Sequence, residues 1–162
     1  MSELLQSEPV RRVQAALEAA GSPARVIVLN TTARSAQEAA DSLGAPLGQI
    51  VKSLLFATDE HLILALIAGD RRCDTKALRE ALQLSSEPSR AGPDRIKAET
   101  GFTIGGVAPV GHRTHLPVVL DQSLARFDRL FAAAGHPHCV FETSFQELVR
   151  LTGGIVSGSV RH

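Results

Sequence analysis

The chain has 162 residues, of which 44% are hydrophobic and 21% are charged, so it is long enough to bury a substantial core. Its 17 Lys and Arg residues balance its 17 Asp and Glu residues, which argues against a protein that coats nucleic acid by long-range attraction. No stretch approaches the roughly 20 apolar residues that cross a bilayer, and the N-terminus lacks the pattern of a secretion signal. We therefore expect a single domain over residues 1–162, in a cytoplasmic protein with no membrane partner.

The first half of the chain predicts a helix, a strand and a second helix, followed by a hairpin. Apolar residues recur at helical spacing over residues 9–20, and the β-branched run 25–29 is typical of a strand. The segment Ser35–Glu38 has the capping-box order of a helix start. The apolar runs 50–57 and 62–68 predict a β-hairpin at the centre of a sheet, and their near-continuous apolar character predicts cover on both faces.

The second half continues the alternation of helices and strands. Asp74 can cap a helix, residues 85–93 resemble a linker, and Pro93 suits the first turn of a short helix that ends near Gly101. The remaining predictions are strands at 102–104, 116–120, 139–141 and 155–156, and helices at 123–134 and after Ser144. Because a hairpin excludes a purely parallel sheet, the sequence predicts an α/β fold with a mixed sheet.

The two cysteines do not indicate a structural or metal role. Cys73 and Cys139 lie far apart in the sequence, and neither belongs to a C-x-x-C pair, so we predict neither a disulfide framework nor a thiolate zinc site. All six aromatic residues are Phe, which argues against the interleaved aromatic and basic pattern of a platform for single-stranded nucleic acid. Any contact with RNA should therefore be local.

Lys52 is a cation inside an apolar strand. The chain has only three lysines against fourteen arginines, and the other two lysines fall on the polar sides of predicted helices. Strand alternation places Lys52 on the same face as Ile50 and Leu54, which should point toward the core or a pocket. The residues alone leave two interpretations open. Lys52 either reaches past a sheet edge or pairs with a buried carboxylate such as Asp70 or Asp121, or it is an amine that faces a substrate.

A glycine-rich loop spans Gly105 to Gly111. It lacks the Lys-Ser/Thr ending of a P-loop and the spacing of a dinucleotide-binding loop, so nucleotide binding has weak support. Its glycines permit close backbone approach, and its N–H groups before Pro109 could donate to a carbonyl oxygen or its oxyanion. A tight connection between two strands is the alternative explanation of such a segment.

Four histidines form two closely spaced pairs, His112 with His115 and His136 with His138. Either pair could supply two metal ligands, but no third ligand stands nearby in a recognisable arrangement. A metal hydrolase that uses the first pair stays an alternative, whereas hydrogen-bonding imidazoles are the main expectation. The sequence therefore predicts no metal and no cofactor.

Four segments of the chain form an ordered pattern. They are Thr32–Ala40 (TARSAQEAA), Ile50–Phe56 (IVKSLLF), Gly101–His112 (GFTIGGVAPVGH) and Glu147–Gly154 (ELVRLTGG). Each segment is modest alone, but their ordered combination is specific and covers essentially the whole chain. In this combination the chain resembles the YbaK/prolyl-tRNA synthetase-associated domain family.

The resemblance implies a single domain with a curved mixed β-sheet flanked by helices. It also implies a hydrolase that removes a wrong amino acid from misacylated tRNA in trans, chiefly a small residue on the tRNA for proline. On the family pattern Lys52 is the catalytic lysine. The implied substrate-binding residues are Gly105, Gly106, Val107, Ala108, Pro109, Gly111 and His112 of the loop, together with His136.

An aminoacyl ester is already activated, so its hydrolysis needs alignment, water and oxyanion stabilisation more than a strong protein nucleophile. We hypothesise that loop N–H groups polarise the ester carbonyl, that Lys52 holds substrate or water, and that the terminal ribose hydroxyl assists the attack. Ser53 invites a Ser-Lys nucleophile, but adjacent strand residues point to opposite faces, so we expect Ser53 to face away.

The partners expected from the resemblance are the acceptor end of misacylated tRNA and prolyl-tRNA synthetase, with a monomer preferred over a homodimer. Arg71, Arg72, Lys76 and Arg79 could help to hold the tRNA, although a solvated helix face explains them equally. The rival function is a non-catalytic module that binds an aminoacyl or nucleotide ligand beside a synthetase. Whether alanine, cysteine, serine or 2-aminobutyrate is removed stays open, because one methylene gives only about 1–3 kcal/mol of discrimination.

Overall fold

The computed structural model describes residues 2–31, 33–158 and 160, and this part of the chain forms six α-helices and eight strands. The helices are α1 (Ser2–Gln6), α2 (Glu8–Ala19), α3 (Ala36–Leu43), α4 (Thr75–Leu82), α5 (Pro93–Thr100) and α6 (Phe145–Thr152). The strands are β1 (Val26–Val28), β2 (Ile50–Ala57), β3 (Leu62–Ala68), β4 (Ser89–Arg90), β5 (Val118–Asp121), β6 (Leu130–His136), β7 (Cys139–Thr143) and β8 (Ile155–Ser157). Short 3-10 turns precede β2 at Leu47–Gln49 and follow β5 at Gln122–Arg126.

The eight strands form one mixed sheet. Seven of them lie in the order β1-β7-β6-β2-β3-β5-β8, and β4 pairs with β2. The β2–β3 and β6–β7 pairs are antiparallel hairpins, whereas β2 runs parallel to β6 and β3 runs parallel to β5. The predicted mixed sheet and the predicted central hairpin are therefore confirmed.

Helices cover both faces of this sheet. The even-numbered residues of β3, such as Leu64, pack in a core with Val13 of α2 and Leu148 of α6. Its odd-numbered residues, such as Ile67, pack on the other face with Leu78 of α4. All of β3 is fully buried, which agrees with the cover on both faces that its continuous apolar run predicts.

Side-chain caps fix the starts of three helices where the sequence predicts them. The Ser35 hydroxyl accepts the N–H of Glu38, the Asp74 carboxylate accepts those of Lys76 and Ala77, and the Ser144 hydroxyl accepts that of Glu147. Each cap satisfies a backbone donor that the first turn of a helix leaves without a partner. The first of these caps positions α3 beside Lys52.

Two predicted elements are wrong. Residues 123–134 do not form one helix, because a short 3-10 turn ends at Arg126 and β6 begins at Leu130. The apolar run that starts at Leu130 also has strand length, and its pairing with β2 and β7 outweighs the helical spacing of its apolar residues. Residues 102–104 do not form a strand, because a turn begins at Thr103, whose carbonyl accepts the N–H of Gly106. The predicted linker at 85–93 contains β4.

No helix among the described residues is both long enough and apolar enough to cross a membrane.

Candidate active site

Part of one edge of β2 faces an opening in the sheet. Within the described chain, β6 pairs with β2 only at Ile50 and Val51, and β4 pairs with it only at Phe56 and Ala57. Residues 52–54 therefore have no strand beside them on the edge opposite β3. The opening leads into a pocket that contains Lys52.

The pocket has a volume of about 240 Å³. This lies below the roughly 300–1,000 Å³ of pockets that hold drug-sized ligands, so it suits a small group. The start of α3, the loop before Pro109 and the ends of β6 and β7 form its walls. Most lining residues are apolar or small: Ala33, Ala36, Ala39, Ile50, Val51, Leu54, Ile104, Gly105, Val107, Phe131, Ala133, Pro137, Cys139 and Val140.

Lys52 is half-buried in this pocket, and its ammonium donates a hydrogen bond to the backbone carbonyl of Arg71. Burial lowers the pKa of Lys52, and the nearby Arg72 lowers it further, whereas the Asp70 carboxylate raises it. Asp70 forms its ion pair with Arg126 rather than with Lys52. Because an ammonium has three N–H donors, two remain for a ligand.

Cations dominate the polar lining of the pocket. Arg34 and Arg90 line it together with Lys52, and no Asp or Glu is among its described lining residues. The Arg90 guanidinium lies 5.7 Å from the centre of the Phe56 ring, a cation–π contact that orients it. A small pocket with arginines and no carboxylate is suited to a ligand that carries phosphate.

Ser53 is also among the residues that line the pocket, although its hydroxyl oxygen is buried. Its neighbours Val51 and Leu55 pack in the core on one face, whereas Leu54 packs on the other, so Ser53 and Lys52 do lie on opposite faces. Both reach the pocket because the opening in the sheet exposes the edge of β2. The Ser53 hydroxyl oxygen is buried and has no hydrogen-bond partner among the described residues.

The first part of the glycine-rich loop forms a wall of the pocket. Gly105 and Val107 line it, and Gly105 has φ +92°, a conformation that favours glycine. The Gly106 N–H donates to the Thr103 carbonyl at 3.0 Å, so it is not available to a ligand. Gly105 and Val107 therefore stand at the pocket on either side of a glycine whose N–H is already bonded.

Gly106 places this loop directly on β6. A Cβ atom at Gly106 would lie 2.9 Å from the backbone nitrogen of His136 and 3.0 Å from the carbonyl carbon of Gly135. Real Cβ atoms essentially never approach so closely. Glycine at this position thus holds Gly105 and Val107 against the end of β6.

The second part of the loop lies elsewhere. Ala108 is fully buried in the core, and its carbonyl contacts His112 Nε2 at 2.6 Å. Pro109, Gly111 and His112 line a separate cavity beside α2 and α6. The structure therefore does not bring these four predicted substrate-binding residues to the Lys52 pocket, because the chain turns into the core after Val107.

His136 lines the Lys52 pocket at the end of β6. Its Nδ1 accepts the backbone N–H of His138 at 3.0 Å, and burial followed by the charge of His138 lowers the pKa of its ring. A neutral ring that accepts at Nδ1 carries its proton on Nε2. His136 can therefore donate a hydrogen bond at the pocket.

The described residues contain no group of three or more His, Cys, Asp or Glu side chains placed to hold a metal ion. Burial lowers the pKa of His112, and the ring packs edge-on against Phe102 at 5.7 Å between centres. His112 thus takes part in the packing of the loop against the core.

Sequence reasoning missed three features of the site. The sequence did not indicate that Ser53 and Arg90 belong to the site. Arg34 was indicated only as part of the segment Thr32–Ala40. Arg34 directly precedes the capping Ser35, which is a signal in the sequence for a residue at a helix start. No local signal marks Arg90, because its place depends on the pairing of β4 with β2.

Known proteins similar to this chain belong to one family. The profile of the aminoacyl-tRNA editing domain matches residues 30–151. The uncharacterized protein YwhH of Bacillus subtilis is 33% identical over 124 residues, which are 76% of this chain and 78% of YwhH. EbsC of Enterococcus faecalis, a candidate Cys-tRNA(Pro)/Cys-tRNA(Cys) deacylase, is 27% identical over 74% of this chain and 73% of its own length.

A solved structure shows the same fold. The crystal structure of a candidate trans-editing enzyme for prolyl-tRNA synthetase superposes with a TM-score of 0.87 and 40% identity. The match covers 93% of this chain and 96% of that one. This chain therefore belongs to the aminoacyl-tRNA editing domain family and is a hydrolase of the aminoacyl-tRNA deacylase class.

Proposed function

We propose that this protein acts in trans on misacylated tRNA(Pro) and hydrolyses the ester that joins the tRNA to a small non-cognate amino acid. The observation that carries the proposal is the small pocket beside Lys52, whose described lining combines apolar side chains with cations and includes no carboxylate. The names of EbsC and of the trans-editing enzyme support the choice of tRNA(Pro). Such a reaction would take place in the cytoplasm, where charged tRNA is used.

Each polar group of the pocket has a separate role in the proposed ester hydrolysis. The N–H groups of Gly105 and Val107 donate to the ester carbonyl oxygen and to the oxyanion that replaces it when the carbonyl is attacked. Lys52 keeps two N–H donors free and holds the substrate opposite the loop. The His136 Nε2–H binds a further oxygen atom of the aminoacyl ribose or the attacking water.

The chemistry needs no protein nucleophile. Water adds to the ester carbonyl carbon, the bond from that carbon to the ribose oxygen breaks, and a proton of the water passes to the departing ribose oxygen. The products are a free amino acid and an intact tRNA end. Because Ser53 and Lys52 lie on opposite faces of β2, a Ser-Lys nucleophile has no support.

The pocket walls explain why the removed amino acid is small. Phe131 and Val140 are buried side chains that line the pocket, and Ala39 and Ala133 line it as well. Together these four residues leave room only for a small side chain. A larger side chain would have to displace packed atoms of the core, which is costly. Arg34 and Arg90 line the same pocket, and in this proposal they bind the phosphates of the tRNA end.

The proposal also concerns the arginines near the pocket and the assembly state of the protein. Arg72 stands close enough to Lys52 to lower its pKa, so it too can approach the tRNA end. Arg79 donates to the carbonyls of Leu84 and Ser85 and therefore completes the end of α4. We propose that the protein works as a monomer, either alone or beside prolyl-tRNA synthetase.

The proposal is tested by measuring the release of amino acid from tRNA(Pro) charged with alanine, cysteine, serine, 2-aminobutyrate or proline. We expect rapid release of at least one small residue and retention of proline. Lys52→Ala should lose on the order of a hundredfold in kcat, the scale of loss when a transition-state contact is removed. Lys97→Ala is the matched control, because it removes an exposed lysine of α5 outside the pocket.

The same assay separates the rival function. Tight binding of a charged tRNA without release of any amino acid would show a non-catalytic module and would refute the proposed hydrolysis. Undiminished turnover by Lys52→Ala would refute the role of Lys52. Loss of turnover on addition of a metal chelator would instead favour the metal hydrolase that the pair His112 and His115 suggests.

A further inference from the structure

The partner of the Lys52 ammonium belongs to the turn between β3 and α4. The carbonyl of Arg71 accepts the hydrogen bond, and Arg71 itself carries no substrate-binding role in the proposed mechanism. The place of the ammonium in the pocket therefore depends on the place of this carbonyl. Whatever fixes the turn also fixes Lys52.

The start of the turn is held by backbone contacts. The Gly69 N–H donates to the Ile50 carbonyl at 2.7 Å, and the Arg71 N–H donates to the Ala68 carbonyl at 2.9 Å. A Cβ atom at Gly69 would overlap the carbonyl oxygen of Leu47, so only glycine allows the chain to pass that point. These bonds hold the turn against the beginning of β2.

One ion pair ties the turn to a second element. The Asp70 carboxylate accepts two hydrogen bonds from the Arg126 guanidinium, at 2.8 and 3.1 Å. This bidentate geometry fixes orientation as well as distance. Arg126 ends the 3-10 turn after β5, and its Nε also donates to the Ser123 carbonyl at 2.7 Å.

That second element is itself anchored in the core. Asp121 is fully buried and accepts the Ser123 N–H at 2.8 Å and the Ser123 hydroxyl at 2.7 Å. It also accepts the Ala68 N–H at 3.0 Å, at the end of β3. The ion pair therefore connects the turn to a rigid point on the sheet.

We propose that Asp70 and Arg126 are positioning residues for Lys52, because their ion pair fixes the turn whose Arg71 carbonyl holds the Lys52 ammonium. The role of Lys52 in hydrolysis rests on the proposed function, whereas the mechanical link does not. The charges around the ammonium agree with this arrangement. Burial and the nearby Arg72 lower the pKa of Lys52, whereas the Asp70 carboxylate raises it.

The link is tested without tRNA by competitive acetylation of the three lysines with trace acetic anhydride at neutral pH. Lys76 and Lys97 are exposed and serve as internal references in the mass spectrum. In Asp70→Asn the freed amine loses a fixed acceptor and a neighbouring negative charge. We expect its labelling relative to Lys97 to rise by about threefold or more, because both losses favour the neutral, reactive amine.

The matched control is Glu147→Gln, which breaks another Arg–carboxylate pair, that of Glu147 with Arg150 on α6. This pair does not line the Lys52 pocket, so Lys52 labelling should not change. Arg126→Lys keeps the cation but loses the bidentate geometry, and it should raise labelling in the same direction by a smaller factor. If Asp70→Asn shows no cooperative thermal unfolding transition, Arg126→Lys becomes the variant that decides the test.

Kinetics provide the second readout. With a mischarged tRNA, Asp70→Asn should lower kcat by about tenfold at unchanged KM, and it should have no further effect in a Lys52→Ala background. An equal loss in both backgrounds would show a general structural role and overturn the proposal. Unchanged Lys52 labelling in a folded Asp70→Asn protein would overturn it too. Raised labelling in a protein without deacylase activity would support the link and refute only the proposed function.

Discussion

Replacing Gly106 by alanine tests how the glycine-rich loop is held at the pocket. The new Cβ atom would lie 2.9 Å from the backbone nitrogen of His136, whereas ordinary contact begins at 3.4 Å. The obstacle is backbone, so the loop rather than a side chain must move, by about half an ångström. Since a misplacement of about 1 Å can cost on the order of a hundredfold in rate, we expect a loss of roughly tenfold in kcat.

The measurement is single-turnover deacylation of a mischarged tRNA, together with thermal unfolding. Overpacking should also cost about 1–3 kcal/mol in the free energy of unfolding. Gly92→Ala is the control, because a Cβ atom at Gly92 meets nothing within 4 Å, and it should leave kcat unchanged. Equal rates for Gly106→Ala and the wild type would refute the assignment of the oxyanion donors to Gly105 and Val107.

Two further predictions concern titratable groups of the pocket. Lys52→Met should lower kcat by on the order of a hundredfold, as Lys52→Ala does, yet raise the free energy of unfolding at neutral pH by about 0.5–2 kcal/mol, because it removes the cost of burying a charge. The pKa of Lys52 is lowered in the folded state from 10.5, so wild-type stability rises with pH between the lowered value and 10.5. The difference in the free energy of unfolding between Lys52→Met and the wild type, measured with urea, should therefore shrink over this pH range. A constant difference would contradict the prediction. The pKa of His136 is lowered from 6.5, so wild-type deacylation should fall only as pH drops below that value, when protonation removes the Nδ1 acceptor. His136→Asn should lack this acid limb, and an identical pH–rate profile would disprove the role of His136.

Local signals in the sequence predicted much of the fold. The hairpin of β2 and β3 follows from two apolar runs of strand length, and the capping residues Ser35, Asp74 and Ser144 mark real helix starts. The false helix at 123–134 shows the limit of such signals. Its apolar residues fit a helical period, but strand pairing, which is a tertiary effect, decides its structure.

The site was predictable only in part. Lys52 is conspicuous because a cation interrupts an apolar strand, and this anomaly is visible in one dimension. The Arg71 carbonyl, which accepts a hydrogen bond from the Lys52 ammonium, cannot be identified from the sequence. Its position depends on how the turn after β3 folds back. Ser53 reaches the pocket only through the opening between β2 and β6, and no property of a single strand announces that opening.

The division of the glycine-rich loop likewise depends on tertiary structure. In the sequence the residues from Gly105 to His112 form one segment, and nothing separates the half that lines the pocket from the half that packs in the core. In the structure the chain enters the core after Val107, and His112 contacts the Ala108 carbonyl instead of the pocket. Burial, rather than composition, therefore defines the candidate substrate-binding part.

The central claim is that the Lys52 pocket hydrolyses the ester of a small amino acid on tRNA(Pro). Its most direct test is the single-turnover release of labelled alanine from Ala-tRNA(Pro), compared with the release of proline from Pro-tRNA(Pro), by the wild type and by Lys52→Ala. We predict rapid release of alanine by the wild type, retention of proline, and loss of alanine release in the variant. Equal release of alanine by the two proteins would contradict the claim.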